Sequence, residues 1–260
     1  ELFVSGWSNG DASNYLNIFV PLAERHDGTS GSSGARIDGD SATQPVNISG
    51  GNDYLRIVGL RINNTSTAQR CIYGELETND YVQIDSCLID NTGTGQSIAL
   101  QHTIVVETRT LIIKNNILYG DGTPSKGIYV RAWGAYGACT LDATLQNNTV
   151  NNCGVGIDME ENSQGVLNVT LENNICTNNT PDFDDSSYLS QGTISGNNNC
   201  SEDATGNDWD GSGSIISQTP SDLFVTEGSD LNLKTGSNAI DAGKTIAEFD
   251  NDALHLESDD

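Results

Sequence analysis

Apolar and polar residues alternate in short runs along the middle of the chain, and the same run recurs. Five segments align without gaps, at 55–62, 82–89, 111–118, 143–150 and 169–176, and a shorter sixth copy at 195–200 matches the end of the fifth. The third positions of the five full copies lie 27, 29, 32 and 26 residues apart. Each copy alternates over about four positions, which is typical of a short strand with one buried face.

A second apolar run follows each copy, and residues that favour turns separate the two runs. These second runs begin near Cys71, Ser97, Gly127 and Gly156. Two or three short strands per repeat, with no helical pattern between them, indicate one coil of a β-solenoid. Parallel strands ordinarily need a crossover helix, whereas a solenoid stacks whole coils instead. We therefore predict an all-β solenoid.

The repeated x-I-x-x-N-x-I pattern, from about Tyr54 to Cys200, resembles the parallel-β-helix repeat of the pectate-lyase-like superfamily. The resemblance implies a right-handed parallel β-helix of about six to eight coils with a capping segment at each end. We expect 1–53 to form the N-terminal cap and first coils, 54–205 the β-helix with an asparagine ladder, and 206–260 a closing segment. The run 230–243 resembles the closing segment of many secreted bacterial β-helix proteins.

Asparagine recurs at two neighbouring positions of the repeat. We assign to the first position Asn115, Asn147, Asn173 and Asn197, and to the second Asn116, Asn148, Asn174 and Asn198. Coils of a solenoid stack about 4.8 Å apart, so that stacked amides can form a hydrogen-bonded ladder. Since buried polar groups at a bend need partners, we interpret both columns as structural rather than catalytic.

Charge and composition exclude several classes of function. The chain has 36 acidic and 11 basic side chains, a net charge of −25, which would repel a nucleic-acid backbone. No apolar run approaches the roughly 20 residues that span a bilayer, so we predict no membrane insertion. The six cysteines show no C-x-x-C spacing, which argues against a zinc site. Disulfides and buried thiols both remain open.

Polysaccharide lyases and hydrolases belong to the superfamily that the repeat resembles, which raises an enzymatic alternative. The arginine, lysine and histidine residues are scattered and lack the arrangements that such chemistry needs. The best carboxylate candidates are Asp158, Glu160 and Asp184. They could act as acid and base if they lay about 5 to 9.5 Å apart. Neighbouring acidic coils also arise by chance in so acidic a chain, so we lean against an enzyme.

Aromatic residues on the longest coil are the candidate glycan contacts. Tyr129, Trp133 and Tyr136 lie where the 32-residue spacing predicts an extruded loop. Flat aromatic rings stack on sugars, and loops on a rigid scaffold often carry binding sites. The alternative is that these rings cover the edge of the solenoid.

One loop near the C-terminus has the pattern of a calcium site. Asp208, Asp210 and Ser212 place oxygen donors at alternate positions in a glycine-containing loop. The alternative is a plain turn, so Ca²⁺ is the one cofactor that the sequence suggests.

The function that we predict is a non-enzymatic scaffold that binds glycans or a host surface. Such a scaffold would lie outside the cell, on a cell surface or on a virion, as in a phage fibre or a bacterial surface protein. The first alternative is a polysaccharide lyase or glycoside hydrolase, which is an analogy of fold alone. The second is a structural subunit of a homo-oligomer or filament.

Overall fold

The computed structural model describes residues 2–6, 10–11, 13–31, 34–39, 44–49, 54–65, 70–76, 81–103, 107–134, 137–162, 164–185, 191–209 and 212–245. Within these ranges nearly all regular structure is short β-strand, and the one α-helix has four residues. No helix in this part of the chain has the length and apolar character that crossing a membrane requires.

Three seven-stranded parallel sheets form the body of the protein. The first sheet contains β1 (Leu2–Val4), β4 (Val46–Ile48), β7 (Ile72–Glu75), β10 (Ile98–His102), β13 (Lys126–Ala132), β16 (Val155–Glu161) and β19 (Phe183–Asp184). The second contains β2 (Leu16–Phe19), β5 (Tyr54–Val58), β8 (Tyr81–Asp85), β11 (Thr108–Lys114), β14 (Cys139–Gln146), β17 (Gly165–Glu172) and β20 (Thr193–Asn197). The third contains β3 (Arg36–Gly39), β6 (Arg61–Asn64), β9 (Leu88–Asn91), β12 (Ile117–Gly120), β15 (Thr149–Asn151), β18 (Ile175–Thr177) and β21 (Cys200–Ser201).

Each strand from β1 to β18 pairs in parallel with the strand three places later in the chain, so the predicted β-solenoid is confirmed. Every coil gives one strand to each sheet, and the five coils from β4 to β18 have a neighbour on both sides, which is slightly fewer full turns than the six to eight coils predicted. The predicted repeat register is also confirmed, since one column stacks in direct pairing through Ile57, Ile84, Ile113, Leu145 and Leu171. All five side chains are fully buried in the solenoid interior.

The turn between the second and third sheets explains the first asparagine column. In successive coils the same turn position holds a residue of left-handed conformation, with φ between 54° and 76°: Gly59, Ser86, Asn115, Asn147, Asn173 and Asn198. Side chains other than glycine and asparagine seldom adopt this conformation without a steric penalty. The backbone geometry of this turn therefore explains why asparagine recurs at this position. The partly exposed asparagine side chains also form a second row of hydrogen bonds.

The second asparagine column is a buried ladder that continues through several coils. The Asn116 amide nitrogen donates to Asn148 Oδ1 (2.9 Å), and that of Asn148 donates to Asn174 Oδ1 (3.0 Å). The ladder ends at Asn199, whose Oδ1 accepts from the Asn174 amide nitrogen (3.1 Å). Each amide also donates to a backbone carbonyl of the preceding coil, as Asn148 does to Ile113 (2.8 Å). The predicted ladder is confirmed for these residues.

The positions assigned to Asn197 and Asn198 are wrong by one residue. Asn197 ends β20 and pairs with Glu172, so Asn198 takes the left-handed turn position and Asn199 takes the ladder position. Matching Cys200 to Cys176 in the sequence shifts the sixth copy by one residue, because Cys200 pairs with Ile175 and three consecutive asparagines fit either register. The strand pairing of β17 with β20 resolves the ambiguity.

The segment after 206 covers one side of the solenoid as well as its end. Ile215 pairs with Cys200 beyond the last coil, and a short helix α1 (Pro220–Leu223) leads into an antiparallel hairpin of β22 (Phe224–Thr226) and β23 (Asp230–Leu233). Phe224 and Leu231 pack with Tyr119 on the outer face of the third sheet. The Tyr119 hydroxyl accepts from the Leu231 amide (3.1 Å) and donates to Gly28 O (2.8 Å).

The six cysteines are free thiols, and all six are buried in the solenoid. The sequence left open whether the cysteines form disulfides or buried thiols, and the structure has buried thiols. Burial raises the pKa of Cys87, Cys153 and Cys200 to about 12 in each case. These residues act as small core side chains.

Candidate functional site

The outer face of the first sheet brings together candidates that the sequence treated separately. In β13 the side chains of Ile128 and Val130 point into the core, so alternation turns Tyr129 and Arg131 outward. Tyr129 pairs in register with Asp158, and Asp158 with Asp184, while Arg131 pairs with Glu160. We call the outward-facing residues of β7, β10, β13, β16 and β19 the first-sheet face.

Ion pairs across neighbouring strands hold two of the three candidate carboxylates. Lys126 Nζ contacts Asp158 Oδ2, and the Asp158 side chain is only 1 % exposed. Arg131 Nη2 lies 3.2 Å from Glu160 Oε1, and the Tyr129 hydroxyl also donates to Glu160. A buried carboxylate needs such partners, so these contacts fix the geometry of the face.

Asp184 has a different environment from its neighbour Asp158. The two residues lie opposite each other on adjacent strands, which in a sheet are about 4.8 Å apart. Burial, followed by the charges of Asp158 and Asp185, raises the pKa of Asp184, and Lys126 acts in the opposite direction. The structure therefore brings Asp158 and Asp184 together, and it places Glu160 two residues further along β16.

The prediction that Tyr129 lies in an extruded loop is wrong. Tyr129 lies within β13 and is 8 % exposed, because the Lys126 ammonium covers its ring at 3.8 Å from the centroid. Burial and the hydrogen bond to Glu160 raise the pKa of Tyr129. Trp133 directly follows the strand and is half-buried, with the Arg131 guanidinium 3.5 Å from its ring centroid. Tyr136 lies outside the described residues.

The extra length of the longest coil is divided between two turns. Partners in β12 and β15 are 32 residues apart, partners in β13 and β16 are 29 apart, and partners in β14 and β17 are 26 apart. Three extra residues therefore lie in the turn before β13 and three in the turn after it. The six extra residues are therefore shared by the turns on the two sides of β13 rather than inserted at one place.

Three further polar residues continue the first-sheet face towards the N-terminus, and sequence reasoning missed them. Gln101 Nε2 donates to Glu75 Oε1 (3.0 Å) and to the Tyr73 hydroxyl (3.2 Å). Burial and Glu75 raise the pKa of Tyr73 to about 12, and the Arg70 guanidinium lies 4.4 Å from its ring centroid. The sequence did contain a signal for Tyr73, because the pair Ile-Tyr occurs at 72–73 and again at 128–129, where Tyr129 was a candidate.

The loop predicted to bind calcium helps to close the C-terminal end of the coils. The Ser212 carbonyl accepts from the Asn198 amide (3.1 Å), and the Ser214 hydroxyl accepts from the Asn199 amide (3.1 Å). Burial, then Asp203 and Asp185, raise the pKa of Asp208, and Asp210 lies outside the described residues. The described part of the chain contains no group of three or more His, Cys, Asp or Glu side chains placed to hold a metal. Calcium binding at this loop stays a prediction from the sequence.

The geometry of the first-sheet face is a row of paired charges and aromatic rings on a rigid sheet. Such a row offers planar hydrogen-bonding groups in fixed positions, and it places two carboxylates side by side. No protein-family model, curated protein or solved structure matches this chain.

Proposed function

We propose that this chain is a rigid β-helix scaffold whose first-sheet face binds glycans. The observation that carries the proposal is the direct register of Glu75, Gln101, Arg131 and Glu160 across four neighbouring strands. The strands are about 4.8 Å apart, so these groups form a straight row that an extended sugar chain can follow. Sugar hydroxyls both donate and accept hydrogen bonds, which suits a row of amide, guanidinium and carboxylate groups.

Preorganisation supports the proposal. Arg131 is held between Glu160 and the Trp133 ring, so it loses little side-chain freedom when a ligand binds. Trp133 remains half-buried at the edge of the face, where its ring can contact an apolar sugar surface. Carboxylates and cations both occur on the face, and the two cations Lys126 and Arg131 are already paired with carboxylates, which favours neutral sugars over strongly charged ones.

The setting that we propose is a cell surface, a virion surface or the extracellular space. The x-I-x-x-N-x-I repeat and the three parallel sheets support a relationship to the pectate-lyase-like superfamily, whose secreted and phage members use such solenoids as stiff spacers. A homo-oligomer is part of this proposal, because stiff surface proteins commonly assemble around a symmetry axis.

A glycan array probed with the full chain tests the binding proposal, and calorimetry on the best ligands then measures affinity. We expect Trp133→Ala and Arg131→Gln each to weaken binding at least tenfold. The control is Thr170→Ala, which changes the outer face of the second sheet and should leave affinity unchanged. A blank array, or hits that both first-sheet variants bind as well as the wild type, would refute the proposal.

Glycoside hydrolysis is a second candidate, favoured by the adjacency of Asp158 and Asp184. Burial raises the pKa of Asp184, which suits a general acid, and the Lys126-paired Asp158 carboxylate lies beside it on the neighbouring strand. New reducing ends from a bound oligosaccharide would support this role if Asp184→Asn abolished them and left binding intact. Binding without any cleavage over prolonged incubation would exclude it.

A further inference from the structure

The contact between Lys126 and Asp158 holds an amine and a carboxyl group together in a buried place. Lys126 Nζ contacts Asp158 Oδ2, and the Asp158 side chain is only 1 % exposed. Lys126 begins β13, whereas Asp158 lies in β16 of the next coil. The fold therefore brings into contact two groups that are distant in the sequence and that can react with each other to form an amide.

The amine of Lys126 is also covered by an aromatic ring. The Tyr129 ring centroid lies 3.8 Å from Nζ, and the Lys126 side chain is 21 % exposed. Tyr129 and Asp158 pair in register on neighbouring strands, so the ring and the carboxylate hold the amine from two directions. A group that is held in this way samples few other positions, which favours reaction with the group that it touches.

A second carboxyl group lies beside Asp158 on the next strand. Asp184 pairs in register with Asp158, at the strand spacing of about 4.8 Å. Burial, followed by the charges of Asp158 and Asp185, raises the pKa of Asp184, and Lys126 acts in the opposite direction. Asp184 is therefore protonated more readily than an exposed aspartate, and it can give a proton to Asp158 and take one back.

A similar pair elsewhere in the solenoid lacks this third group. Lys114 Nζ lies 3.3 Å from Asp85 Oδ2, and the two side chains are 21 % and 3 % exposed. The Asp85 oxygens also accept hydrogen bonds from Gln83 and Asn115, which stabilise the ionised carboxylate. The in-register neighbours of Asp85 are Val58 and Lys114, and neither has a carboxyl group. We expect this second pair to remain an ion pair.

We propose that Lys126 and Asp158 are joined by an intramolecular amide bond, which the folded chain forms by itself. A proton passes from Nζ to the Asp158 carboxyl group, so that a neutral amine faces a neutral acid. Nζ then attacks Asp158 Cγ, and the carbon–oxygen bond to one Oδ breaks. Asp184 donates a proton to the departing oxygen and recovers one from the nitrogen. The ammonium and the carboxylate are thereby converted into one amide and one water, and no oxidant or cofactor takes part.

Proximity and burial favour this condensation. Two reacting groups held in contact have an effective concentration of up to about 10⁵–10⁸ M, which offsets the slow reaction of amines with carboxylates in water. The low exposure of Asp158 also limits the access of water that would hydrolyse the amide. The amide retains one oxygen of Asp158 as a hydrogen-bond acceptor, so the bond does not require that neighbouring donors lose their contacts.

The amide ties two neighbouring coils together covalently. All six cysteines lie in the described part of the chain and are free thiols, so no disulfide has this role in the solenoid. A cross-link between positions 126 and 158 restricts the unfolded chain and therefore stabilises the folded state, as a disulfide does. The proposal is independent of glycan binding. It is incompatible with a hydrolytic role of Asp158, because the amide removes the free carboxylate.

Intact-protein mass spectrometry of the purified full chain tests this inference. We expect the wild type to be lighter than its sequence by one water, and Lys126→Arg and Asp158→Ala to have their full sequence masses. The matched control Lys114→Arg should lose one water as the wild type does. A chain kept in urea from synthesis onward should retain its full mass, because the reaction needs the fold. A folded wild type at its full sequence mass would overturn the proposal without reference to any variant.

Peptide mapping locates the bond. We expect trypsin not to cleave after Lys126, so that the peptide 115–131 is recovered joined to the peptide that contains Asp158. Loss of water at another place, such as a cyclic imide at the Asp-Gly pair 121–122, would overturn the assignment.

Two variants test the part of Asp184 in the reaction. We expect Asp184→Asn to contain chains of full mass when the wild type is fully converted, although its circular dichroism spectrum matches that of the wild type. Asp184→Glu should restore conversion, because it restores a carboxyl group. Complete conversion of Asp184→Asn would contradict the assigned proton transfer.

Discussion

Replacement of Asn148 by alanine tests how much the buried ladder stabilises the solenoid. The Asn148 side chain is fully buried, and its Oδ1 accepts from the backbone amide of Asn116 (3.2 Å) while its Nδ2 donates to the carbonyl of Ile113 (2.8 Å). Alanine would leave the buried Asn116 backbone amide without its acceptor, and it would remove the ladder bonds to the Asn116 and Asn174 side chains. A buried donor left unpaired costs about 1–3 kcal/mol and each of the two lost side-chain bonds about 0.5–1.5 kcal/mol, so we expect a loss of about 2–6 kcal/mol in the free energy of unfolding.

The neighbouring residue provides matched controls in the same turn. Asn147 is exposed and has φ of 55°, so its main requirement is the left-handed backbone. Asn147→Gly keeps that conformation available and should cost less than about 1 kcal/mol, whereas Asn147→Ala should cost about 1–2 kcal/mol. Urea unfolding followed by circular dichroism measures all three variants, with equal slopes required for comparison. If Asn148→Ala were no more destabilising than Asn147→Gly, the ladder would not be a source of stability.

Three further predictions follow from buried groups. Because the six thiols are buried, a thiol reagent that labels all six cysteines after denaturation should not react with the folded protein. Because the thiols are free, reductant should leave the melting temperature unchanged. Rapid labelling of the folded chain would contradict the burial of the thiols. Burial raises the pKa of Asp182 to about 6, so between about pH 4 and 6 this carboxyl is protonated in the folded state and ionised in the unfolded state. The contribution of Asp182 to the stability of the folded state therefore declines as pH rises. The stability of the wild type relative to Asp182→Asn, measured by urea unfolding at pH 4, 5, 6 and 7, should therefore fall with rising pH, and a rise would reverse the assigned sign. A methyl group on Gly156 would lie 2.2 Å from the Asp182 carbonyl, so thermal unfolding should show that Gly156→Ala destabilises the protein by about 1–3 kcal/mol. Gly228→Ala should cost about 1–2 kcal/mol, because there only the positive φ opposes a side chain. Losses well below these values in both variants would show that the coils move apart easily.

The repeat predicted the fold well because each coil must bury the same side of the same strand. The interior column from Ile57 to Leu171 is apolar in every copy, which fixes the register without any structural information. The prediction failed where apolar residues ran out, at 197–199, because three identical side chains cannot distinguish neighbouring positions. The sequence could not distinguish the roles of the two asparagine columns. The backbone φ angles show that the first column adopts the left-handed conformation of the turn, whereas the second column forms the hydrogen-bonded ladder.

The candidate site was harder to predict from the sequence, because its contacts join residues of different coils. Lys126 and Asp158 are 32 positions apart in the chain, and Arg131 and Glu160 are 29 apart, so neither pair shows a local pattern. Burial of Tyr129 follows from the position of Lys126 above its ring, which is likewise invisible in the alternation of residues. The stacking of Tyr54 on Tyr81 could have been predicted, because each of the two tyrosines precedes an aligned repeat by one residue.

The division of roles within a coil explains why function should be sought on the outer faces. Interior positions and the two asparagine columns are constrained by packing and by turn geometry, and a change at one coil disturbs the coils on both sides. Outward positions in the first and second sheets carry no such constraint, yet adjacent coils hold their side chains about 4.8 Å apart in register. A short linear cluster such as Arg131 beside Glu160, or Tyr54 beside Tyr81, can therefore be built by substitutions in neighbouring coils without altering the fold. Different outer faces of one scaffold can thus carry different side-chain clusters, such as the paired charges around Arg131 and the stacked rings of Tyr54 and Tyr81.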